Sequence, residues 1–244
     1  MHKDLIAKKI IDHNKIHNLE FDKINHKYYV NKEECISVTT KIQKYFPFKK
    51  EKISKIVAEK TMSTQYEIED EWNLLAKIGS LTHELIDDYI KGKCTDKTNN
   101  FIQGALLFLR DNPDFEVIAS EIQIFSHKYK TAGTIDLIVK DIKTKKIYTI
   151  DWKTSQKPIS KTEYWEMGKT PFDTIPNNKF YKYSLQLWIY NLILKDEYGI
   201  DVWDSYIIHI NNNIKASYDK ICPCSMIFEA EELLNINNGT NNLN

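Results

Sequence analysis

Arginine is nearly absent from this sequence. The 244 residues carry 34 basic side chains, of which only Arg110 is an arginine, against 34 acidic ones, so the formal net charge is zero. A balanced charge argues against histone-like proteins and basic tails, whose affinity for nucleic acid comes from excess positive charge. It leaves open an enzyme that acts on nucleic acid, because such an enzyme needs only a local positive field. Phosphate contacts would then depend mainly on lysine point charges, without bidentate guanidinium groups.

Cysteine and long apolar runs are also scarce. Four scattered cysteines are too few for a disulfide framework and have no zinc-ribbon spacing, so we expect free thiols in a reducing compartment. No stretch reaches 18 uncharged apolar residues, and the beginning of the sequence lacks the apolar segment of a signal peptide. We therefore expect neither a membrane span nor a membrane partner.

The charges that are present are segregated along the chain. Residues 41–60 hold seven lysines and two glutamates, and residues 140–161 hold seven lysines and two aspartates. Between them, residues 63–90 hold seven acidic residues and one lysine. A run of like charge is usually a solvated face, but two lysine-rich runs on either side of a candidate site also suit a polyanionic partner.

Hydrophobic periodicity predicts a mixed chain. The predicted helices are 54–60, 71–90, 101–110 and 181–195. The predicted strands are 26–30, 35–39, 117–125, 131–140, 147–152 and 202–210. Residues 1–20 are either an amphipathic helix or a loosely attached arm, and the asparagine-rich residues 235–244 are predicted to be disordered.

The order of the central elements, α-β-β-β-α-β, predicts an α/β (α+β) fold with a small mixed central sheet flanked by helices. We predict a lysine-rich N-terminal part at 1–70, a core at 71–212, and a C-terminal extension at 213–244 that ends in the disordered tail. Residues 155–180 contain three prolines and no clear periodicity, which indicates a long loop or insertion within the core.

Two acidic residues stand in apolar surroundings on consecutive predicted strands. They are Asp136 and Asp151, and a strand places Asp151 and Lys153 on the same face. If these strands pair, the carboxylates converge, and a divalent cation would relieve their repulsion. Oxygen donors suit Mg²⁺ or Mn²⁺, and the Lys153 ammonium can orient an attacking water. The alternative is a buried Asp–Lys salt bridge that only fixes the strand.

The pattern Gly133-x-x-Asp136 followed by Asp151-x-Lys153-Thr154-Ser155 resembles the PD-(D/E)XK nuclease superfamily. It is similar in particular to the RecB-like exonuclease branch, with its phage and large-virus members and the mitochondrial genome maintenance exonuclease. Three further segments agree in order and spacing. They are Gly79-Ser-Leu-Thr-His83-Glu-Leu-Ile-Asp87, Glu121, and Tyr183-Ser-Leu-Gln186-Leu-Trp-Ile-Tyr190.

The resemblance implies a restriction-endonuclease-like core and a set of site residues. The implied metal ligands are His83, Asp136, Asp151 and the backbone carbonyl of Trp152. Lys153 would position or activate water, and Glu121 would contact the metal through water or brace the site. A lone helical histidine is otherwise more often a packed or surface residue, so the role of His83 depends on the motif.

Other residues would support this centre or bind DNA. Gln186 and Tyr190 would back the site and contact Lys153 or DNA, although their helix could equally serve only core packing. Asp87, one turn after His83, would orient the imidazole. The remaining candidate DNA contacts are Thr154, Ser155, Lys157, Lys161, Tyr164, Trp165, Lys169 and residues 41–60.

The resemblance implies a stand-alone metal-dependent DNA exonuclease that hydrolyses phosphodiester bonds by two-metal-type water attack. Its substrate would be single-stranded DNA or DNA with free ends, in replication, recombination or repair, with Mg²⁺ or Mn²⁺ as cofactor. The cysteine arrangement predicts no iron–sulfur cluster, and no helicase P-loop is present. The alternatives are a structure-specific or restriction-type endonuclease, or a non-catalytic DNA-binding accessory protein, and an RNA substrate stays open. We expect an intracellular location, in the cytoplasm, nucleus or a viral factory, with the mitochondrion left open.

Overall fold

The computed structural model describes residues 3–93, 99–155, 157–164, 166–211 and 216–236. The helices of these ranges are α1 (Lys3–Ile16), α2 (Val38–Tyr45), α3 (Lys50–Thr61), α4 (Gln65–Ile90), α5 (Asn100–Asp111), α6 (Lys179–Tyr198) and α7 (Ile227–Asn235). The strands are β1 (Glu20–Asp22), β2 (Lys27–Val30), β3 (Glu33–Ser37), β4 (Phe115–Ser126), β5 (Thr131–Asp141), β6 (Ile147–Lys153), β7 (Asp204–Asn211) and β8 (Ser217–Ile221).

All eight described strands belong to one mixed sheet. The strand β5 lies at its centre, antiparallel to β4 along one edge. Its other edge is shared by two strands: parallel β3 pairs with Thr131 and Ala132, and antiparallel β6 pairs with Leu137 to Lys140. Residues 133–136 lie between these two pairings and have no partner in β3 or β6 in the described part of the chain, so the sheet forks there. Parallel β7 and antiparallel β8 continue the sheet beyond β6, and β2 and β1 continue it beyond β3.

Helices cover both faces of this sheet. In β5, the side chain of Ile138 packs in the core that α1, α2, α6 and α7 share. Its neighbours Leu137 and Val139 pack in the opposite core, against Ile86 of α4 and Phe108 of α5. A strand that is apolar on both faces in this way is buried between two layers, which is the predicted flanked architecture.

The predicted fold class and core order are confirmed, but the sheet is larger than predicted. The strands β1 and β8 were not predicted, because three and five residues that are largely polar carry almost no periodicity. The helix α7 was not predicted either. The alternative of a helix near the N-terminus is the correct one, since Ile10 of α1 is fully buried.

Two helix starts differ from the sequence prediction because of capping. The predicted strand 35–39 ends at Ser37, whose hydroxyl accepts the backbone N–H of Thr40 at 3.0 Å and begins α2. Likewise α4 begins six residues early, because Thr64 and Glu67 form a reciprocal capping box.

The remaining predictions on organisation have different outcomes. The described part of 155–180 holds no helix or strand before α6, as predicted, apart from an isolated bridge between Met167 and Pro176. The predicted disorder of the tail falls mostly on residues 237–244, outside the described residues. The domain boundaries at 70 and 212 stay predictions. None of the described helices has both the length and the apolar character that crossing a membrane requires.

Candidate active site

Three elements bring an imidazole and two carboxylates together beside the fork in the sheet. His83 comes from α4, Glu121 from β4 and Asp136 from β5, and one donor atom of each lies within 4.8 Å of the other two. His83 Nδ1 is 3.4 Å from Glu121 Oε1 and 3.3 Å from Asp136 Oδ1. His83 and Asp136, two of the predicted metal ligands, therefore converge on one point together with Glu121, which was predicted to contact the metal through water or to brace the site.

The hairpin of β5 and β6 adds the acid–lysine pair. Asp151 is buried, and its Oδ2 lies 2.7 Å from Lys153 Nζ. The backbone N–H of Trp152 donates to Asp136 Oδ2 at 2.8 Å, which ties the two strands together at the fork. Asp151 faces its lysine and is not part of the three-residue group of His83, Glu121 and Asp136.

Burial and charge shift the pKa values of this cluster in opposite directions. Burial lowers the pKa of His83, but Asp136 and Glu121 outweigh it and raise the pKa to about 10. Burial raises the pKa of Asp151 to about 6 against the opposing charge of Lys153. Burial disfavours the charged form of Lys153, yet Asp151 and Asp136 hold its pKa above the ordinary value. Lys153 is therefore a cation at neutral pH.

Glu121 reaches the cluster through an unusual backbone. Its φ of 46° lies in the left-handed region, which costs a non-glycine residue on the order of 1–2 kcal/mol. A register shift in β4 between Val117 and Ala119 precedes it. Burial raises the pKa of the Glu121 carboxyl above its ordinary value. Strain and burial of this kind are concentrated at functional sites, so the site includes Glu121 as a principal member.

The helix α6 closes the cleft behind Lys153. The ammonium of Lys153 lies 4.6 Å from the ring centre of Tyr183, a cation–π contact. Gln186 Nε2 donates to the hydroxyl of Tyr190 at 3.1 Å, and all three α6 residues line the cleft. Sequence analysis assigned no role to Tyr183. Its spacing to the other two, i, i+3 and i+7 on one helical face, was the available signal.

Asp87 does not play the part that was predicted for it. Its carboxylate accepts a 2.5 Å hydrogen bond from the Ser120 hydroxyl and pairs with Lys91 at 2.8 Å. Among the described hydrogen bonds, none joins it to His83. Asp87 therefore connects α4 to β4 next to Glu121, and the two carboxylates beside His83 orient the ring instead.

Some of the predicted DNA contacts in the loop after Lys153 line the cleft, and others do not. Thr154, Ser155 and Lys157 line the cleft. The Ser155 hydroxyl donates to the carbonyl of Lys157 at 2.8 Å, and buried His209 contacts the Ser155 carbonyl at 2.6 Å, so this turn is fixed from below. Lys161 lies over the ring of Phe180 at 4.8 Å, outside the cleft lining. Trp165 is outside the described residues.

The cleft has the size of a site for an extended ligand, and its lining carries more lysines, seven, than acidic residues, five. Its volume is about 1350 Å³. Besides Lys153 and Lys157, five lysines and two large aromatic residues line it: Lys23, Lys50, Lys91, Lys93, Lys179, Phe48 and Trp72. Phe48 and Trp72 contact each other with ring centres 5.4 Å apart. This combination can neutralise phosphates and provide stacking surfaces.

The residues present fit a divalent metal ion. Among the described residues, Glu121 Oε1 and Asp151 Oδ2 are buried oxygens that accept no hydrogen bond of acceptable geometry, although Asp151 Oδ2 lies within ion-pair distance of Lys153. Such atoms are costly unless something else compensates them. Carboxylate oxygens with one imidazole suit a hard ion of the Mg²⁺ or Mn²⁺ type.

Comparison with known families decides the assignment. A family model described as the PD-(D/E)XK nuclease superfamily matches residues 54–233. The chain belongs to this superfamily. Nucleases of the PD-(D/E)XK superfamily use divalent metal ions, which agrees with the donor set of the cleft. The suspected resemblance of the motifs is thereby confirmed at the level of the superfamily.

Two solved structures are similar to this PD-(D/E)XK chain at low sequence identity. A candidate exonuclease from Eubacterium rectale matches with 13% identity and a TM-score of 0.42, over 65% of this chain and 64% of that one. This chain thus spans just under two thirds of the length of that protein. The protein SSO0001 matches with 14% identity and a TM-score of 0.37, over 95% of this chain and 82% of that one. No curated protein matches the chain.

Proposed function

We propose that this chain is a metal-dependent DNA exonuclease. The observation that carries the proposal is the convergence, in a chain of the PD-(D/E)XK superfamily, of His83, Glu121 and Asp136 in one cleft. Lys153 lines the same cleft, and its ammonium pairs with the buried Asp151. The choice of an exonuclease is supported by the RecB-like set of motifs, in which the His83 helix and the Gln186 helix accompany the acid–lysine hairpin.

The metal would be Mg²⁺ or Mn²⁺. Its ligands would be the clustered His83, Glu121 and Asp136. Asp151 and the carbonyl of Trp152, on the neighbouring strand β6, would be further ligands. When bound, a divalent ion supplies positive charge that offsets the negative charge developing on the phosphate in the transition state. The pairing of Asp151 with Lys153 and of His83 with Asp136 keeps the cluster organised before metal enters.

Lys153 would orient the water and stabilise the phosphate. Because its ammonium stays protonated, it cannot accept the proton of the attacking water; it donates hydrogen bonds instead. Asp151 and the ring of Tyr183 hold the ammonium in place. The water oxygen would form a bond to phosphorus while the bond to the leaving 3′-oxygen breaks, which gives a 5′-phosphate product. One water proton would pass to a carboxylate or to solvent, and the leaving 3′-oxygen would take up a proton from solvent to become a hydroxyl.

DNA would lie along the lysine-lined wall. Lysine contacts to phosphate give an affinity that falls with salt, and the exposed ring of Phe48 beside Trp72 offers a stacking surface for an unpaired base. The neutral net charge of the chain does not oppose this, because phosphate contacts need only a local excess of positive charge, and seven lysines line the cleft. Participation in replication, recombination or repair follows from an activity of this kind.

The test uses DNA labelled at the 5′ or 3′ end, single- or double-stranded, with Mg²⁺ or Mn²⁺. Wild type is compared with Lys153→Ala and with the control Lys195→Ala, which removes an exposed lysine of α6 that does not line the cleft. We expect wild type and control to cleave the DNA, and the cleavage rate of Lys153→Ala to be at least a hundredfold lower. Without metal, no protein should cleave it. Wild-type activity in purified, folded Lys153→Ala would refute the proposed role.

A covalently closed circular substrate distinguishes the alternatives. An exonuclease leaves it intact, whereas an endonuclease nicks it. Calorimetric titration with Mg²⁺ and Mn²⁺ tests the non-catalytic alternative. A nuclease should bind the metal ion, and Asp136→Asn should abolish that binding. A DNA-binding protein that lost its metal centre should bind no metal ion at this site in either form. Labelled RNA in the same assay tests the sugar preference.

A further inference from the structure

A second group of metal-binding side chains lies apart from the cleft. His13 lies in the last turn of α1, His17 directly follows that helix, and His127 directly follows β4. One ring nitrogen of each lies within 4.8 Å of the others. The ring centres of His13 and His17 are 4.6 Å apart, and those of His17 and His127 are 4.3 Å apart. None of the three histidines lines the cleft.

A carboxylate already orients two of these rings. Glu197 Oε1, from α6, lies 3.1 Å from His13 Nε2 and 2.8 Å from His127 Nδ1. The backbone N–H of His127 donates to Glu197 Oε2 at 3.0 Å. In metal sites, a ligating histidine usually donates its second ring N–H to a carboxylate. Since each ring has two nitrogens, contact with Glu197 leaves one nitrogen of His13 and one of His127 for another partner.

The rings are further held by packing. His13 is stacked on Phe125 with ring centres 5.4 Å apart and touches Tyr198 edge-on at 4.9 Å. The hydroxyl of Tyr198 donates to Asn14 Oδ1 at 2.7 Å, and Asn14 Nδ2 donates to the carbonyl of Gln123 at 2.8 Å. The end of α1 is therefore fixed against β4 and α6, which supply the other residues of the group.

We propose that His13, His17 and His127 bind a transition-metal ion of the Zn²⁺ type, with Glu197 as the carboxylate that orients the ligands. Three imidazoles are the ligands that Zn²⁺ accepts, whereas Mg²⁺ requires oxygen donors. Tetrahedral bonds of about 2.0–2.1 Å place ligand atoms roughly 3.3 Å apart. The ring nitrogens already lie within 4.8 Å of one another, so small ring rotations bring them to this spacing, and His127, with 43% of its side chain exposed, has room to rotate.

The site would fasten α1 to the nuclease core. His13 and His17 precede the residues 54–233 that match the superfamily, whereas His127 and Glu197 lie within them. A metal ion at this point would connect an N-terminal helix to the end of β4, the strand that carries Glu121. The role of the ion would be structural, since no histidine of this group reaches the cleft.

The experiment measures zinc binding by calorimetry in the full chain carrying Asp136→Asn, which weakens competition from the catalytic cluster. Excess Mg²⁺ is present throughout. His17→Gln and His127→Gln are introduced into this background. The control is His26→Asn, because His26 does not belong to the group. The backbone of His26 is in the left-handed region, which asparagine tolerates. Circular dichroism confirms that each variant is folded.

We expect the background protein and the His26→Asn control to bind zinc at one site that both group variants weaken at least tenfold. Zinc at a hundredfold excess over its dissociation constant should raise the melting temperature of the background protein by roughly 5–10 °C. His17→Gln alone, with Asp136 intact, should keep metal-dependent nuclease activity. Zinc affinity and melting shift that are unchanged in His17→Gln and His127→Gln would overturn the proposal and leave the histidines as packed rings bonded to Glu197.

Discussion

Gly133 has no room for a side chain, and Gly133→Ala is the substitution that tests the packing behind the active site most directly. A Cβ at this position of β5 would lie 2.5 Å from Cε1 and 3.0 Å from the hydroxyl oxygen of Tyr190. Tyr190 is buried on α6, so its ring cannot swing into solvent. The backbone of Gly133 is not in the left-handed region, so the cost of alanine comes from this contact and not from φ.

The magnitude follows from two opposing contributions. Inserting a methyl group into a packed core costs roughly 1–3 kcal/mol. Replacing glycine by alanine where the backbone permits it restores about 0.4–1 kcal/mol through the unfolded chain. The expected net loss is on the order of 1–2 kcal/mol, which corresponds to a fall of roughly 2–8 °C in melting temperature for a chain of this size. Displacement of Tyr190 also moves its partner Gln186, so cleavage should decrease.

Urea unfolding of four proteins measures the contact: wild type, Gly133→Ala, Tyr190→Leu and the double variant. If the clash is with the ring, the double variant should be more stable than the sum of the single effects predicts, by about 1 kcal/mol or more. Gly133→Ala with wild-type stability, or single effects that simply add, would refute the steric explanation.

Three other predictions concern stability, metal and DNA. Burial lowers the pKa of Lys41 to about 8 from its ordinary 10.5, so stability should rise between these pH values by on the order of 3 kcal/mol, because the unfolded chain binds the extra proton. Lys41→Met, which buries no charge, should therefore be more stable than wild type at pH 7, and this difference in unfolding free energy should shrink by pH 9.5 in urea unfolding. A difference that stays constant with pH would contradict this. Glu121→Gln should stabilise the metal-free protein, because burial raises the pKa of this carboxyl and disfavours its charge, yet weaken Mg²⁺ binding about tenfold or more in calorimetry. Lys157→Gln, in the cleft, should weaken DNA binding and lower the salt slope by about one, whereas Lys161→Gln, outside it, should change neither.

The acid–lysine hairpin could be predicted because its geometry is local. Asp136, Asp151 and Lys153 lie on consecutive strands joined by a short turn, and the period of two fixes their faces. The His83 helix was also predictable from its periodicity and motif. These parts depend on rules that act within a few residues or between sequence neighbours.

Other features depend on tertiary competition that the sequence does not display. Helical spacing correctly places Asp87 near His83, but Ser120 and Lys91 capture its carboxylate. The central position of Glu121 follows from a left-handed backbone inside a strand, which no propensity predicts for glutamate. Lys161 belongs to a loop without periodicity, and only packing against Phe180 decides its direction.

At the fork between β3 and β6, Asp136 also has a structural role. Opposite the fork, the amide of Trp152 has the carboxylate of Asp136 as its acceptor, so a side chain takes the place of a main-chain partner in the ladder. Removing that carboxylate exposes an amide in the middle of the sheet, and hydrogen exchange at Trp152 would accelerate even without metal or DNA. Asp136→Ala is therefore a poor choice for an inactive protein meant for substrate trapping or crystallisation with DNA. Lys153→Ala keeps the bond between Asp136 and the Trp152 amide, because the ammonium of Lys153 makes no backbone contact among the described hydrogen bonds. It removes the counter-charge of the buried Asp151 instead, so its stability must be measured before it is used for trapping.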